Sequence, residues 1–204
     1  MNLQRLRLGF LASGNGSSAE AIVDAIQRGD LAAEPRLLVS NKRSAPALDW
    51  ASARGVPALA IPTLSDPEAA DRRLADAMAE AGVELIVMSG YLRRLGPAAL
   101  GHYAGRILNI HPGPLPQFGG EGMYGLRVHQ AVLAAGLAAS AIVIHAVDEE
   151  YDHGPELARR PVMATHSSAR TLRETTIWRL PPKAPPALPA PLNTMPMPTR
   201  PSAL

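Results

Sequence analysis

Leu108-Asn109-Ile110-His111-Pro112-Gly113-Pro114-Leu115-Pro116 is the stretch on which the reading of this chain turns. Ile107, Leu108 and Ile110 form an apolar run, and Val87 upstream marks a candidate neighbouring strand. The run ends in an amide and an imidazole, then in a loop stiffened by proline. A buried strand ending in polar groups and a rigid loop is how an open α/β sheet presents reactive groups at its carboxyl edge. Asn109 and His111 are two residues apart, so on a strand they share a face. An amide beside an imidazole can hold a developing oxyanion. Further on the chain reads His145-Ala146-Val147-Asp148-Glu149-Glu150-Tyr151-Asp152-His153-Gly154-Pro155. Asp152 is either a simple turn residue or, if it lies near His111, a group that orients the ring and relays a proton. Together these residues suggest acyl-type transfer rather than simple binding.

Short apolar runs alternate with helical patterns on both sides of this stretch. Strands are expected at Leu6–Ala12, Arg36–Val39, Ala58–Ile61, Leu85–Met88 and Ile142–Val147. Helices are expected at Ser18–Gln27, Ala45–Ala53, Pro67–Ala81 and Val128–Ala135. This alternation implies an α/β fold, a mostly parallel twisted sheet with helices on both faces. Residues 1–164 carry the pattern. Residues 165–204 form a divergent tail with nine of the chain's 20 prolines between Pro181 and Pro201, and with no Asp or Glu from Thr175 onward. Such a segment lacks backbone donors and apolar periodicity, and is expected to be poorly ordered. A flexible extension, a polyproline ligand and a frame-shifted end are its alternative readings.

A chain of 204 residues can bury one sizeable core. Its net charge of +2 is too small to point to nucleic acid or a membrane surface. The absence of cysteine excludes disulfides, thiolate catalysis and cysteine–metal sites. No apolar run approaches the roughly 20 residues needed to span a bilayer. Arg5–Ala12 is too short, and lacks the cleavage site, for a signal peptide. A cytoplasmic protein acting on small molecules, as monomer or homodimer, is the expectation.

The turn Ser13-Gly14-Asn15-Gly16-Ser17-Ser18 follows a strand and opens a helix. Glycines permit close backbone approach to a ligand, and the helix start offers N–H groups for a phosphate. A plain capped turn is the alternative. It is neither a dinucleotide-binding glycine motif nor a Walker loop. His145 sits on an apolar strand and reads as structural or as support for its neighbours. The other histidines show no metal-ligand spacing, and no metal is expected. Asp148-Glu149-Glu150 is most simply a solvated loop, and Trp50 and Trp178 lack the basic interleaving of nucleic-acid stacking.

Taken in order, Ser13-Gly14-Asn15-Gly16-Ser17, Ser40-Asn41-Lys42, Gly90-Tyr91-Leu92-Arg93, Asn109-Ile110-His111-Pro112 and Asp152-x-Gly154-Pro155 resemble the phosphoribosylglycinamide formyltransferases of purine synthesis. The Phe118–Gly125 loop is similar to a variant of that family. The Asn-x-His with a later Asp is shared by folate-dependent formyltransferases generally, and the Gly-Asn-Gly-Ser turn narrows the match. The resemblance implies a Rossmann-like formyltransferase domain over residues 1–164. It also implies formyl transfer from 10-formyltetrahydrofolate to the glycyl amine of glycinamide ribonucleotide, without metal. Gly16, Ser17 and Ser18 match the phosphate turn, and Gly90, Leu92 and Pro112 match the ribonucleotide path. Leu92, Arg93, Asp148 and Asp152 match the pterin-end pocket. Asn109, His111 and Asp152 match the catalytic trio, in which Asn109 and His111 stabilise the oxyanion and Asp152 assists proton transfer.

The chain departs from the family in places. Ser18 stands where Asn is usual, and Pro67 where an Arg often helps the phosphate. Gly113-Pro114-Leu115-Pro116 replaces Ser-Leu-Leu-Pro, and Ala141-Ile142-Val143 replaces a Gly-x-Ser. The position of a family Glu that binds the ribose falls near Pro181. A formyltetrahydrofolate deformylase-like domain, a methionyl-tRNA formyltransferase domain, and a catalytically impaired folate- or nucleotide-binding protein are the alternative readings.

Overall fold

The structure is a computed structural model and describes residues 5–163. The proline-rich tail and the position near Pro181 lie outside the described residues. The elements in order are β1 (Leu6–Ala12), α1 (Ser17–Gln27), β2 (Ala33–Ser40), α2 (Pro46–Ala53), β3 (Ala58–Ala60) and α3 (Pro67–Glu80). They continue with β4 (Leu85–Met88), α4 (Pro97–His102), β5 (Ile107–His111), α5 (Leu126–Ala134), β6 (Ala139–Ala146) and β7 (Glu156–Met163).

The seven strands form one sheet in the order β3-β2-β1-β4-β5-β6-β7. The first five in that order run parallel, while β6 pairs antiparallel with both β5 and β7. The mostly parallel sheet read from the sequence is present. Val87 pairs with Leu108, so Leu85–Met88 is indeed the neighbour of the deciding strand.

Alternate residues of each central strand feed opposite cores, as the two-residue repeat requires. Phe10, Ala12 and Leu38 pack with Ala19, Val23, Ala47 and Ala51 of α1 and α2. Leu11, Leu37 and Val39 pack with Leu74, Met78, Ala99 and Tyr103 on the α3–α4 side. Gly9 lets α3 approach, because a Cβ there would lie 2.6 Å from the Met78 sulfur and 2.9 Å from Val83. A smaller core joins Phe118 to Val128 and Val132 of α5, which seats the loop after β5.

Two elements absent from the sequence reading appear. Helix α4 has no side-chain cap of its own; Asp71 of α3 supplies one by accepting from the N–H groups of Gly96 (2.9 Å), Ala98 (2.8 Å) and Ala99 (3.4 Å). Strand β7 is an exposed edge strand carrying Arg159, Arg160 and Pro161. Proline at an edge costs no ladder bond when its missing N–H would face outward. Pro67, conspicuous in the sequence, is the first residue of α3, and Asp66 before it accepts from Ala69 N at 2.9 Å. That is a favoured place for proline.

Candidate active site

Strand β1 pairs with β2 on one side and β4 on the other, so the chain order reverses at β1. Ligands of open α/β sheets bind outside the carboxyl ends of the strands at such a point. A cleft of about 690 Å³ opens there. Gly16, Ser17, Ser18, Gly90, Leu92, Arg93, Asn109, His111, Pro112, Asp148 and Asp152 all line it, which places every site residue singled out in the sequence on one cavity.

At one end lies the turn after β1. Gly16 caps α1 with a left-handed backbone (φ 61°) and no side-chain cap bond. A Cβ at Gly16 would also come within 3.0 Å of Ala12 Cβ. Its carbonyl accepts from Glu20 N at 2.9 Å, and Ala19 N donates to Ser89 Oγ at 3.2 Å. The N–H groups of Ser17 and Ser18 have no partner among the described residues. Lys42 lines the cleft as well, whereas Pro67 does not.

At the inner end the reactive groups meet. The β5–β6 register sets Asn109 opposite His145 and His111 opposite Val143. Asn109 Nδ2 lies 3.0 Å from His145 Nε2 and donates to Asp152 Oδ1 at 3.2 Å. His111 Nδ1 lies 3.5 Å from Asp152 Oδ2, and His145 Nε2 lies 3.3 Å from Oδ1. Gly120 N donates to Asp152 Oδ2 at 3.0 Å. His111 Nε2 lies 2.8 Å from the Phe118 carbonyl, and His145 Nδ1 2.8 Å from the Ala146 carbonyl. A carbonyl can only accept, so each of these ring nitrogens carries the hydrogen. His145 Nε2 is then the acceptor for Asn109, and His111 turns Nδ1 to the carboxylate.

Asp152 is no surface turn residue. Its side chain is only 10% exposed. Burial by itself would raise its carboxyl, but its contacts with the His111 and His145 rings and the Gly120 N–H outweigh it. The group is held well below the usual carboxylate range, and so is an anion at neutral pH. Its backbone is left-handed (φ 53°), a conformation Asp tolerates. Gly154, two residues on, is required by close approach: a Cβ there would lie 2.0 Å from the Ala146 carbonyl oxygen. The loop folds back through Ala146 N donating to Pro155 O at 3.0 Å, and this aims Asp152 into the cluster.

His145 lies beside the catalytic candidates. Of the two readings the sequence offered, structural or support for its neighbours, the geometry fits the second, because it touches both Asn109 and Asp152. Its signal lay in the strand pairing, which the sequence alone did not specify. Asp148 lines the cleft, but its oxygens serve its own loop, accepting from Glu150 N (2.9 Å) and meeting His153 Nδ1 (3.1 Å). Glu149 and Glu150 are exposed and also line the cleft, and the Glu149 carbonyl accepts from Arg94. Tyr124, in the Phe118–Gly125 loop noted in the sequence, and Arg127, with the guanidinium 5.0 Å from the ring centre, lie at the cleft too. Among the described residues, no group of three or more His, Cys, Asp or Glu is arranged to hold a metal ion.

Comparison with known proteins places this geometry. The formyl transferase family pattern matches residues 6–177. The phosphoribosylglycinamide formyltransferase of Escherichia coli (strain K12) is 36% identical over 161 residues, covering 77% of this chain and 74% of that protein. The chloroplastic phosphoribosylglycinamide formyltransferase of Arabidopsis thaliana is 37% identical over 163 residues, 78% of this chain, and the match spans 56% of its length. The crystal structure of glycinamide ribonucleotide transformylase 1 from Symbiobacterium toebii superposes with a TM-score of 0.78 at 28% identity, covering 87% of this chain and 84% of that one. On sequence and fold together, the chain belongs to the formyl transferase family.

Proposed function

We propose that this chain transfers a formyl group from 10-formyltetrahydrofolate to the glycyl amine of glycinamide ribonucleotide, as a cytoplasmic monomer or homodimer. The observation that carries this reading is the meeting of Asn109, His111 and Asp152 at the inner end of a cleft whose other end is the Gly16–Ser18 turn. The Ser17 and Ser18 N–H groups and the positive end of the α1 dipole suit a phosphate. Met88, Leu92, Ile110 and Val147 line the cleft together with Arg93, a mixture of apolar and charged groups that suits a planar heterocycle with a polar tail.

The folate supplies the formyl group. The amine nitrogen forms the new C–N bond, the N10–C bond breaks, and the proton lost by the amine ends on N10. His111 directs one proton to Phe118 O and turns its other nitrogen to Asp152, so in this arrangement it acts through the carboxylate. His145 Nε2 and Asp152 Oδ1 are 3.3 Å apart, close enough to share one Asn109 N–H and leave the second for the developing oxyanion. Asp152, an anion held at the end of this network, assists passage of the amine proton to N10 through His111 or a water.

The test is a formyl-transfer assay on the purified chain with both substrates. Formylated ribonucleotide is expected. Formate released from the folate, with no formylated amine, would favour the deformylase-like reading instead. Binding of the folate without turnover would favour the impaired binding protein.

A further inference from the structure

Ser13 and Asn41 lie in motifs that the reaction itself does not use, yet both are buried, at 3% and 8% exposure. Ser13 is the first residue after β1, Asn41 the first after β2, and Leu92 lies in the loop after β4. The Ser13 hydroxyl donates to Asn41 Oδ1 at 2.5 Å and accepts from Leu92 N at 2.7 Å. The Ser13 N–H donates to the Gly90 carbonyl at 3.1 Å. One hydroxyl therefore joins the carboxyl ends of three adjacent parallel strands across the point where the strand order reverses.

What these loops carry gives the link its meaning. Gly14 to Ser18 follow Ser13, Lys42 follows Asn41, and Leu92 and Arg93 form the third loop; all of them line the cleft. None of the hydrogen bonds of Ser13 reaches Asn109, His111 or Asp152. We propose that Ser13 is a positioning residue that fixes the distance between the phosphate turn and the Leu92–Arg93 loop. It thereby sets the affinity for both substrates together, and Asn41 is its anchor on the phosphate side. The inference rests on the proposed function for what the two loops bind, but the link itself is independent of that reading.

Loss of a buried hydrogen bond is net modest, though a stranded partner costs more, so effects of about tenfold are the right scale. Ser13→Ala removes the hydroxyl from both partners. It is expected to raise KM for the ribonucleotide and for the folate by about tenfold each, with kcat nearly unchanged, as when binding common to ground and transition states is lost. Asn41→Leu removes only the phosphate-side anchor and leaves the bond from Leu92 N. It is expected to raise KM for the ribonucleotide while sparing the folate. Amide hydrogen exchange without substrate gives a second readout. Faster exchange is expected at Leu92 in Ser13→Ala but not in Asn41→Leu, with the strands of the sheet unchanged.

A merely structural serine would lower the melting temperature and leave both KM values alone, and that result overturns the proposal. A fall in kcat alone overturns it as well, and so does unchanged exchange at Leu92. If Ser13→Ala does not fold, the KM pattern and exchange of Asn41→Leu decide. If the wild-type chain shows no formyl transfer, the proposed function fails, while the exchange measurement still decides whether the link exists.

Discussion

Asp152 shows how much a single residue depends on its setting. As a residue type it suits a turn, and its left-handed backbone is turn geometry. Folding the loop back at Gly154 buries the carboxylate against two imidazoles and a backbone N–H. Asp152→Asn keeps the shape and tolerates the backbone, but removes the proton acceptor. Formyl transfer is expected to fall by about 10²–10⁴ in kcat. Near-normal turnover in the purified variant would remove Asp152 from the mechanism. A second outcome concerns stability. The native carboxyl is depressed below its unfolded value, so the anion stabilises the fold above the unfolded pKa of about 3.9. That contribution is lost as pH falls from there toward the native pKa. The urea midpoint of the wild type should therefore exceed that of Asp152→Asn at pH 6, and the gap should close as pH drops below about 4. A gap independent of pH would show that charge is not what the cluster stabilises. Asn109 and His111 could be recognised from sequence because their spacing alone puts them on one face. His145 could not, because its contact with Asn109 exists only through antiparallel pairing with a strand far along the chain.

Elements were legible where their signal was local. Strand β1 and strand β4 match the sequence reading residue for residue, since β4 is an unbroken apolar run and β1 is apolar and buried from Leu8 to Ala12 around Gly9. Helix α3 announces itself with Asp66 as cap and Pro67 as first residue. Helix α4 carries no such signal, because its cap comes from Asp71 on another helix. Strand β7 was hidden for a different reason: an exposed edge has no apolar alternation to read, and Pro161 argues locally against a strand. The cross-helix cap makes a prediction. Asp71→Ala leaves the first N–H groups of α4 without an acceptor and should destabilise by about 1–2 kcal/mol. For a chain of this size that is a melting-temperature fall of roughly 2–8 °C. Because Asp71 touches no cleft residue through these bonds, kcat should stay close to wild type. An unchanged melting temperature would mean that water caps α4 equally well.

For the molecule as a whole, the sheet's order of strands explains why residues scattered from Gly16 to Asp152 line one cleft. Chain reversal at β1 brings the loop after β1 and the loop after β4 to one crevice, and the antiparallel return of β6 brings the Asp152 loop to it as well. The sequence carried the alternation that implies such a sheet, and with it the general place of the cleft, but not the strand order that fixes which loops face each other. Binding at this crevice is linked to the stability of the whole fold. A ligand that binds only the native state stabilises it by about 2.7 kcal/mol at a hundredfold excess over Kd. For this size of domain the melting temperature should rise by roughly 5–11 °C with saturating glycinamide ribonucleotide. The phosphate is the decisive part of that expectation. The Gly16–Ser18 turn offers N–H groups and a helix dipole, and Pro67 lies away from the cleft; Lys42 is the cation nearest in sequence to the three strand ends joined by Ser13. The corresponding ribonucleoside, identical but for the phosphate, should therefore give a much smaller shift at the same concentration. Raising the salt concentration should erode the ribonucleotide's advantage, because an exposed lysine and a helix end are screened over about 10 Å at 0.1 M salt. Equal shifts from ribonucleotide and ribonucleoside would show that the turn after β1 is not the phosphate site, and the assignment of that end of the cleft would have to be reversed.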